Sequence, residues 1–294
     1  MGETMRICHF NGNRLGLVEG DQIIDVTPAL EAIPAQHWPL PRYDLLIANL
    51  PAVLARANAI KATAPRLALN SVLLNSPVAN PSKIVNAPIN YQKHIDEAVT
   101  DTGIAHGRDL KGKHISDWGL FLKASSALIG FGEPVRLRKA DRRNDHEIEL
   151  AVIIGKEANK VKAADALNYV AGYSIGLDMT IRGPEFQCFR KSVDTYAPMG
   201  PWMVTADEIP NPNALDLAIW VNGEARQKSN TSQLVYNVNR LIEYATEWYT
   251  LYPGDIIFTG TPEGVGPVKP GDTMTCEIQG IARWDVHVAP EFAG

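Results

Sequence analysis

Six residues near the middle of the chain, Leu150-Ala151-Val152-Ile153-Ile154-Gly155, carry no polar side chain, and Glu147-Ile148-Glu149 leads into them. A run so short and so apolar reads as a strand buried on both faces, because a strand with one wet face would alternate. Side chains two apart in a strand point the same way. Glu147 and Glu149 therefore form a two-pronged clamp, with Ile148 turned into the core. A carboxylate entering such a strand must be paired, protonated or metal-bound, since an isolated buried charge is too costly. Asp178 closes the next apolar segment and offers a third carboxylate. Three carboxylates without a cysteine or histidine partner suit Mg²⁺, Mn²⁺ or Ca²⁺ rather than zinc. The plainer alternative is that the glutamates mark the wet end of a strand and Asp178 a turn.

The chain has 294 residues, 45% of them hydrophobic, enough for one large domain or a large and a small one. With 28 basic and 33 acidic residues the formal charge is −5. The densest basic stretch, Arg136-Leu137-Arg138-Lys139 with Arg142-Arg143, is flanked by Asp141 and Asp145 and reads as a solvated connection. Nothing here favours nucleic acid. Cys8, Cys188 and Cys276 are scattered, without metal spacing, which predicts free thiols in a reducing compartment. Cys188 falls near the candidate site, but no histidine pattern marks it as a nucleophile. No apolar run approaches the roughly 18 residues of a membrane span. The N-terminus lacks a signal-peptide core, and Arg6 stands where a myristoylation signal needs Ser or Thr. A cytoplasmic protein is expected.

Two units are expected, 1–78 and 79–294. Arg6–Phe10, Arg14–Val18 and Gln22–Val26 read as a three-stranded meander turned at Asn11-Gly12-Asn13 and Glu19-Gly20-Asp21. A helix from Tyr43 to Lys61 should break at Pro51, and 76–81 reads as a linker. Further strands are expected at Lys83–Ala87, Gly119–Lys123, Ala127–Ile129, Leu215–Val221, Glu224–Lys228 and Ile256–Thr259. A helix near Tyr91 carries His94 and Glu97. Another, Ser232–Tyr249, is expected to be capped by Thr231, with Leu234, Val238, Leu241, Ala245 and Trp248 on one buried face. Pro253-Gly254-Asp255 and Pro270-Gly271-Asp272 are twin turns feeding strands. Many strands with few alternating helices predict a mainly β α+β fold rather than a doubly wound one.

The ordered set of runs resembles the fumarylacetoacetate hydrolase family. The matching segments are Asn90-Tyr91-Gln92-Lys93-His94-Ile95-Asp96-Glu97, Phe121-Leu122-Lys123, Glu147-Ile148-Glu149-Leu150 and Gly172-Tyr173-Ser174-Ile175-Gly176-Leu177-Asp178. They continue with Arg182, Lys191-Ser192, Leu251-Tyr252-Pro253-Gly254-Asp255 and Thr259-Gly260-Thr261-Pro262-Glu263-Gly264-Val265-Gly266. The resemblance implies a mixed β-roll with a small N-terminal α/β domain, a homodimer, and metal ligation by Glu147, Glu149 and Asp178. Leu177 departs from it, standing where the family usually has Asn.

His94 and Glu97 sit at i and i+3 on one helix face. A carboxylate beside an imidazole orients the ring and favours its charged form, so the histidine can take a proton from water. The ordinary alternative is a surface His–Glu pair; the resemblance implies the catalytic one. It also implies Lys191 as a catalytic cation and Arg182, Thr195 and Thr261 as substrate contacts. Each has a plain alternative: a surface cation for Lys191 or Arg182, a capping hydroxyl for Thr195, and a glycine turn around Thr261. Lys123 is a weaker, structural candidate. The glycines at 260–266 lack the Gly-Lys-Ser/Thr ending of a phosphate loop. The long segment 100–118, with His106, Arg108, Lys111, Lys113 and His114, reads as either a lid whose cations meet a distal substrate carboxylate or a solvated basic loop.

Together these readings predict a metal-dependent hydrolase cleaving a carbon–carbon bond in a 2,4-dioxo acid, such as an acylpyruvate, in aromatic or sugar-acid breakdown. The same enolate chemistry would serve a decarboxylase or an isomerase of an oxaloacetate-like acid. A non-catalytic ligand-binding protein is the third class; keeping both the ligand set and the His–Glu pair argues against it.

Overall fold

The structure is a computed structural model that describes residues 5–291 apart from 13 and 108. Of the positions read above, the extreme N-terminus, Asn13 and Arg108 lie outside it. In chain order the strands are β1 (Arg6–Phe10), β2 (Arg14–Glu19), β3 (Gln22–Asp25), β4 (Arg66–Ala68), β5 (Leu74–Asn75), β6 (Ile84–Asn86) and β7 (Phe121–Lys123). Next come β8 (Leu128–Gly130), β9 (Val135–Arg136), β10 (Asn144–His146), β11 (Ile148–Ile154), β12 (Val170–Leu177), β13 (Thr180–Ile181) and β14 (Ala197–Thr205). The last are β15 (Asp216–Val221), β16 (Glu224–Asn230), β17 (Ile256–Phe258), β18 (Gly266–Pro267), β19 (Thr273–Ile278) and β20 (Ala282–Ala289). The helices are short: α1 (Leu45–Ala48), α2 (Leu50–Ile60), α3 (Gln92–Thr100), α4 (Thr102–Ala105), α5 (Ile115–Trp118), α6 (Gln187–Lys191) and α7 (Val238–Trp248). The fold is mainly β, of the α+β class.

Among the described residues the strands form sheets of twelve, five and three. The largest runs β4-β3-β2-β1-β14-β12-β11-β17-β6-β7, with β5 on β1 and β8 on β14. The others are β16-β15-β19-β20-β9 and β13-β10-β18. β11 is flanked by antiparallel β12 and β17. Its residues Ile148, Leu150, Val152 and Ile154 pack in one cluster with Leu217, Ile219 and Cys276 of the five-stranded sheet. Ala151 and Ile153 pack on the opposite face with Ile47, Leu50 and Val53 of the N-terminal helices. Both faces are dry, which is why the run shows no alternation.

The N-terminal meander forms, but not as a sheet of its own. Ile7 pairs with Met203 of β14, and Cys8 and Phe10 share the main core with Leu150. The boundary expected at residue 78 is therefore not a boundary of the sheet. The helix break falls at Asn49 rather than Pro51. Pro51 lies in the first turn of α2, where its missing N–H costs nothing.

The helix expected over 232–249 starts six residues late. Thr231 is no cap: its hydroxyl accepts from Leu215 N–H and donates to the Pro212 carbonyl, both at 2.8 Å. The cap is Asn237, whose side chain accepts from Arg240 N–H at 2.9 Å. The intervening backbone is committed elsewhere. Val235 N–H donates to the Asn90 carbonyl and Tyr236 N–H to the Asn90 side chain, both at 2.8 Å. Those bonds fasten the entry to α3, at the cost of a longer α7. Trp248 lies off the buried stripe and is 69% exposed.

Candidate metal centre and catalytic pair

Glu147 is the single residue between β10 and β11, where the chain passes from the three-stranded to the twelve-stranded sheet. The β11–β12 ladder pairs Ile148 with Leu177. Asp178 extends it one step, its N–H donating to the Glu147 carbonyl at 2.9 Å. Asp178 thus faces Glu147 directly and Glu149 diagonally, the spacing at which cross-strand side chains meet. All three are buried, and one carboxylate oxygen from each lies within 4.8 Å of the others. Leu177, one step along, alternates away into the core beside Ile148, so its departure from the family pattern does not touch the cage.

The carboxylates differ in their company. Glu147 accepts from Lys191 Nζ at 2.6 Å and Arg182 Nη2 at 2.7 Å. Burial pushes its pKa up, but Lys191 and Arg182 outweigh that and hold it well below the usual carboxylate range. Asp178 accepts from Lys191 and Lys123, each at 2.5 Å. Among the described residues Glu149 has only the Gly260 N–H, at 2.6 Å. Burial, then the Asp178 charge, raises its pKa well above normal. Lys191 goes the other way: burial favours losing its proton, yet Asp178 and Glu147 together raise its pKa. Lys123 is shifted down, chiefly by burial.

These residues fit a hard divalent cation. Oxygens about 2.0–2.6 Å from an ion lie at most about 5 Å apart, which the carboxylate spacing satisfies. Each carboxylate can serve a cation and keep its hydrogen bonds, having about four lone-pair sites. Glu149, buried without a cationic partner of its own among the described residues, is the group such an ion would relieve.

His94 and Glu97 stand on α3, and His94 lines the same cavity as the three carboxylates. Nδ1 of His94 meets Glu97 Oε2 at 3.0 Å. The other oxygen of Glu97 accepts from Gly264 N–H at 2.9 Å. A carboxylate on Nδ1 sets the tautomer that leaves Nε2 as a proton acceptor. The helix is anchored through Asn90, which is fully buried and donates to the Thr259 carbonyl at 2.7 Å. Gly260 makes that approach possible: its φ is +96° and an added Cβ would lie 2.7 Å from Asn90 Cβ.

Arg182 and Lys191 line the cavity, as does Thr261. The Thr261 hydroxyl already donates to the Ile148 carbonyl at 2.9 Å and accepts from Gln227 at 2.8 Å. Contact with a substrate carboxylate would require it to exchange the first of these. Thr195 is not brought to the cavity lining; its hydroxyl accepts from Arg136 N–H at 2.9 Å. It ties β9 in place and is dropped from the substrate contacts. Cys188 is exposed.

Segment 100–118 reaches the cavity through apolar residues. Ile104, Ala105, Leu110 and Trp118 line the cavity, while Lys111, Lys113 and His114 are exposed and do not. The expectation that those cations face the substrate is corrected accordingly. The basic stretch before Asp145 is not simply solvated either. Arg143 reaches Asp101 at 3.0 Å and Asp145 at 2.8 Å, and Asp145 in turn holds Arg182 at 2.7 Å. Asp145, above only a flank of that stretch, was legible as a site residue: it continues the period-two pattern of Glu147 and Glu149. Gln227 was not, because β16 is otherwise mostly exposed. Its fully used amide also holds Ile148 N–H at 3.1 Å, behind the cage.

A family model described as fumarylacetoacetate (FAA) hydrolase C-terminal matches residues 83–289. The maleylpyruvate hydrolase of Aquipseudomonas alcaligenes is 54% identical over 284 residues, 97% of this chain and 99% of that one. A mitochondrial oxaloacetate tautomerase of Rattus norvegicus is 36% identical over 233 residues, 75% of this chain and 71% of its own length. A solved structure of maleylpyruvate hydrolase from Sphingobium sp. SYK-6, in complex with manganese(II) ion and pyruvate, is 40% identical with a TM-score of 0.82. It covers 98% of this chain and 100% of that one.

Proposed function

The chain belongs to the fumarylacetoacetate hydrolase family, and from that premise we propose that it hydrolyses maleylpyruvate to maleate and pyruvate. It is a metal-dependent hydrolase of a carbon–carbon bond in a 2,4-dioxo acid; the maleyl group is the finer assignment. The observation that carries the reading is the meeting of two machines in one cavity: a three-carboxylate cage and a His–Glu pair.

A divalent cation held by Glu147, Glu149 and Asp178 supplies, when bound, Lewis-acid stabilisation of enolate charge. Mg²⁺ or Mn²⁺ suits the all-oxygen set. His94 Nε2 takes a proton from water, with Glu97 stabilising the imidazolium. The hydroxide adds to the C4 carbonyl. The C3–C4 bond then breaks, leaving maleate and the pyruvate enolate, whose C3 recovers the proton from His94. Lys191 and Arg182 place fixed positive charge beside the developing enolate. Arg143, Arg182, Lys123 and Lys191 pair with Asp145, Glu147 and Asp178, leaving Glu149 without a cationic partner of its own among the described residues. The apolar wall of Ile104, Leu110, Trp118 and Phe121 suits the carbon skeleton of the acyl group.

We take the enzyme to be a cytoplasmic homodimer. Exposed Phe186 and Phe189, at the start of the site helix α6 and on it, support a covering second copy, and unpaired cysteines fit a reducing compartment. No helix among the described residues is long and apolar enough to cross a membrane.

The test is a chelator-stripped enzyme assayed with Mg²⁺ or Mn²⁺ on maleylpyruvate, other acylpyruvates and oxaloacetate, with products identified by NMR. Equal release of maleate and pyruvate, only with metal, is expected. Turnover of oxaloacetate alone would replace hydrolysis with decarboxylation or tautomerisation.

A further inference from the structure

We propose that Arg143 is a positioning residue that ties the helix carrying His94 and Glu97 to the carboxylate cage, through Asp101. This rests on the catalytic reading above. Its geometry is an unbroken alternation of acid and base. Asp101 Oδ2 meets Arg143 Nη1 at 3.0 Å, and Arg143 Nε meets Asp145 at 2.8 and 3.1 Å. Asp145 meets Arg182 Nε at 2.7 Å, and Arg182 Nη2 meets Glu147 at 2.7 Å.

Asp101 is the hinge between two elements. It ends α3, where its N–H donates to the Glu97 carbonyl at 2.8 Å, and it caps α4 by accepting from Gly103 N–H at 2.7 Å. The other end of α3 is fixed by Asn90; Arg143 fixes this one. Arg143 and Asp101 side chains are 30% and 39% exposed, so the pair adds little to stability. A planar guanidinium spanning two carboxylates does fix direction. Gly103 leaves room for it: an added Cβ would lie 2.8 Å from Arg143 Nη1. The distance from Nε2 of His94 to the reacting carbonyl is set by how α3 is held relative to the carboxylate cage, and displacement of a catalytic group by about 1 Å can cost about 100-fold in rate.

Two variants of the full chain test this. Asp101→Asn keeps a good cap and removes the charge; Gly103→Ala removes no charge and pushes the guanidinium aside. Both should lower kcat about tenfold, leave Mn²⁺ affinity within twofold of wild type, and speed hydrogen exchange at the amides of residues 95–100. Unchanged exchange in both variants would overturn the inference. So would loss of Mn²⁺ affinity in step with kcat, since the cage rather than the helix would have moved. The exchange measurement needs no substrate. A wild-type enzyme inert towards acylpyruvates, with fast exchange in the variants, would sink only the catalytic reading.

Discussion

Glu147 and Glu149 are two residues apart in one strand direction and live in opposite electrostatic worlds. Glu147 has two cations at hydrogen-bond distance, whereas Glu149 has one peptide N–H and a neighbouring aspartate. Glu149 is thus the ligand whose ionisation leans most on a metal. Glu149→Ala should weaken Mn²⁺ binding by at least about 100-fold in calorimetry, and activity should go with it. His94→Ala should keep Mn²⁺ affinity and lose about 10²- to 10⁴-fold in kcat; a fully active variant would remove its role in water activation. At this scale the sequence was most readable where a backbone rule fixes side-chain direction. Period two made Glu147 and Glu149 neighbours, and period 3.6 joined His94 to Glu97. It was least readable where one hydroxyl had two uses. Thr195 and Thr261 look alike in the chain, but one is consumed by Arg136 and the other lines the cavity.

Between elements, the joints are made by backbone close approach. Gly264 has φ +91°, and a Cβ there would lie 2.0 Å from the Arg226 carbonyl oxygen. Its N–H meanwhile holds Glu97. Gly264→Ala should cost about 1–3 kcal/mol in urea unfolding and lower kcat more than it raises KM, since Glu97 loses its fixed partner. Short strands with strong turn signals were legible at nearly their observed bounds, β1 to β3 above all. The start of α7 was not, because the donors of residues 235 and 236 are spent on Asn90, some 145 positions away. No local pattern encodes a bond of that range. Segment 100–118 was legible as a long loop. That its apolar side chains face inward while its lysines face solvent was hidden, since the segment has no sustained period.

The whole molecule hangs on one sheet that ignores the apparent linker at 76–81. The class, mainly β with scattered short helices, followed from the number of strand-like runs. The continuity of the sheet did not, because strand pairing between residues 7 and 203 leaves no mark on either segment. Fragment 79–294 should express as aggregate while the full chain stays in solution, which centrifugation of the two lysates would show. Met203 and Val204 would lose the neighbours that complete their hydrogen bonds, and a bare strand flank recruits copies of itself. The first quarter of the polypeptide is thus a sealing strip along the enzyme's seam. Anyone trimming this protein for engineering should cut at loop tips and leave the beginning alone.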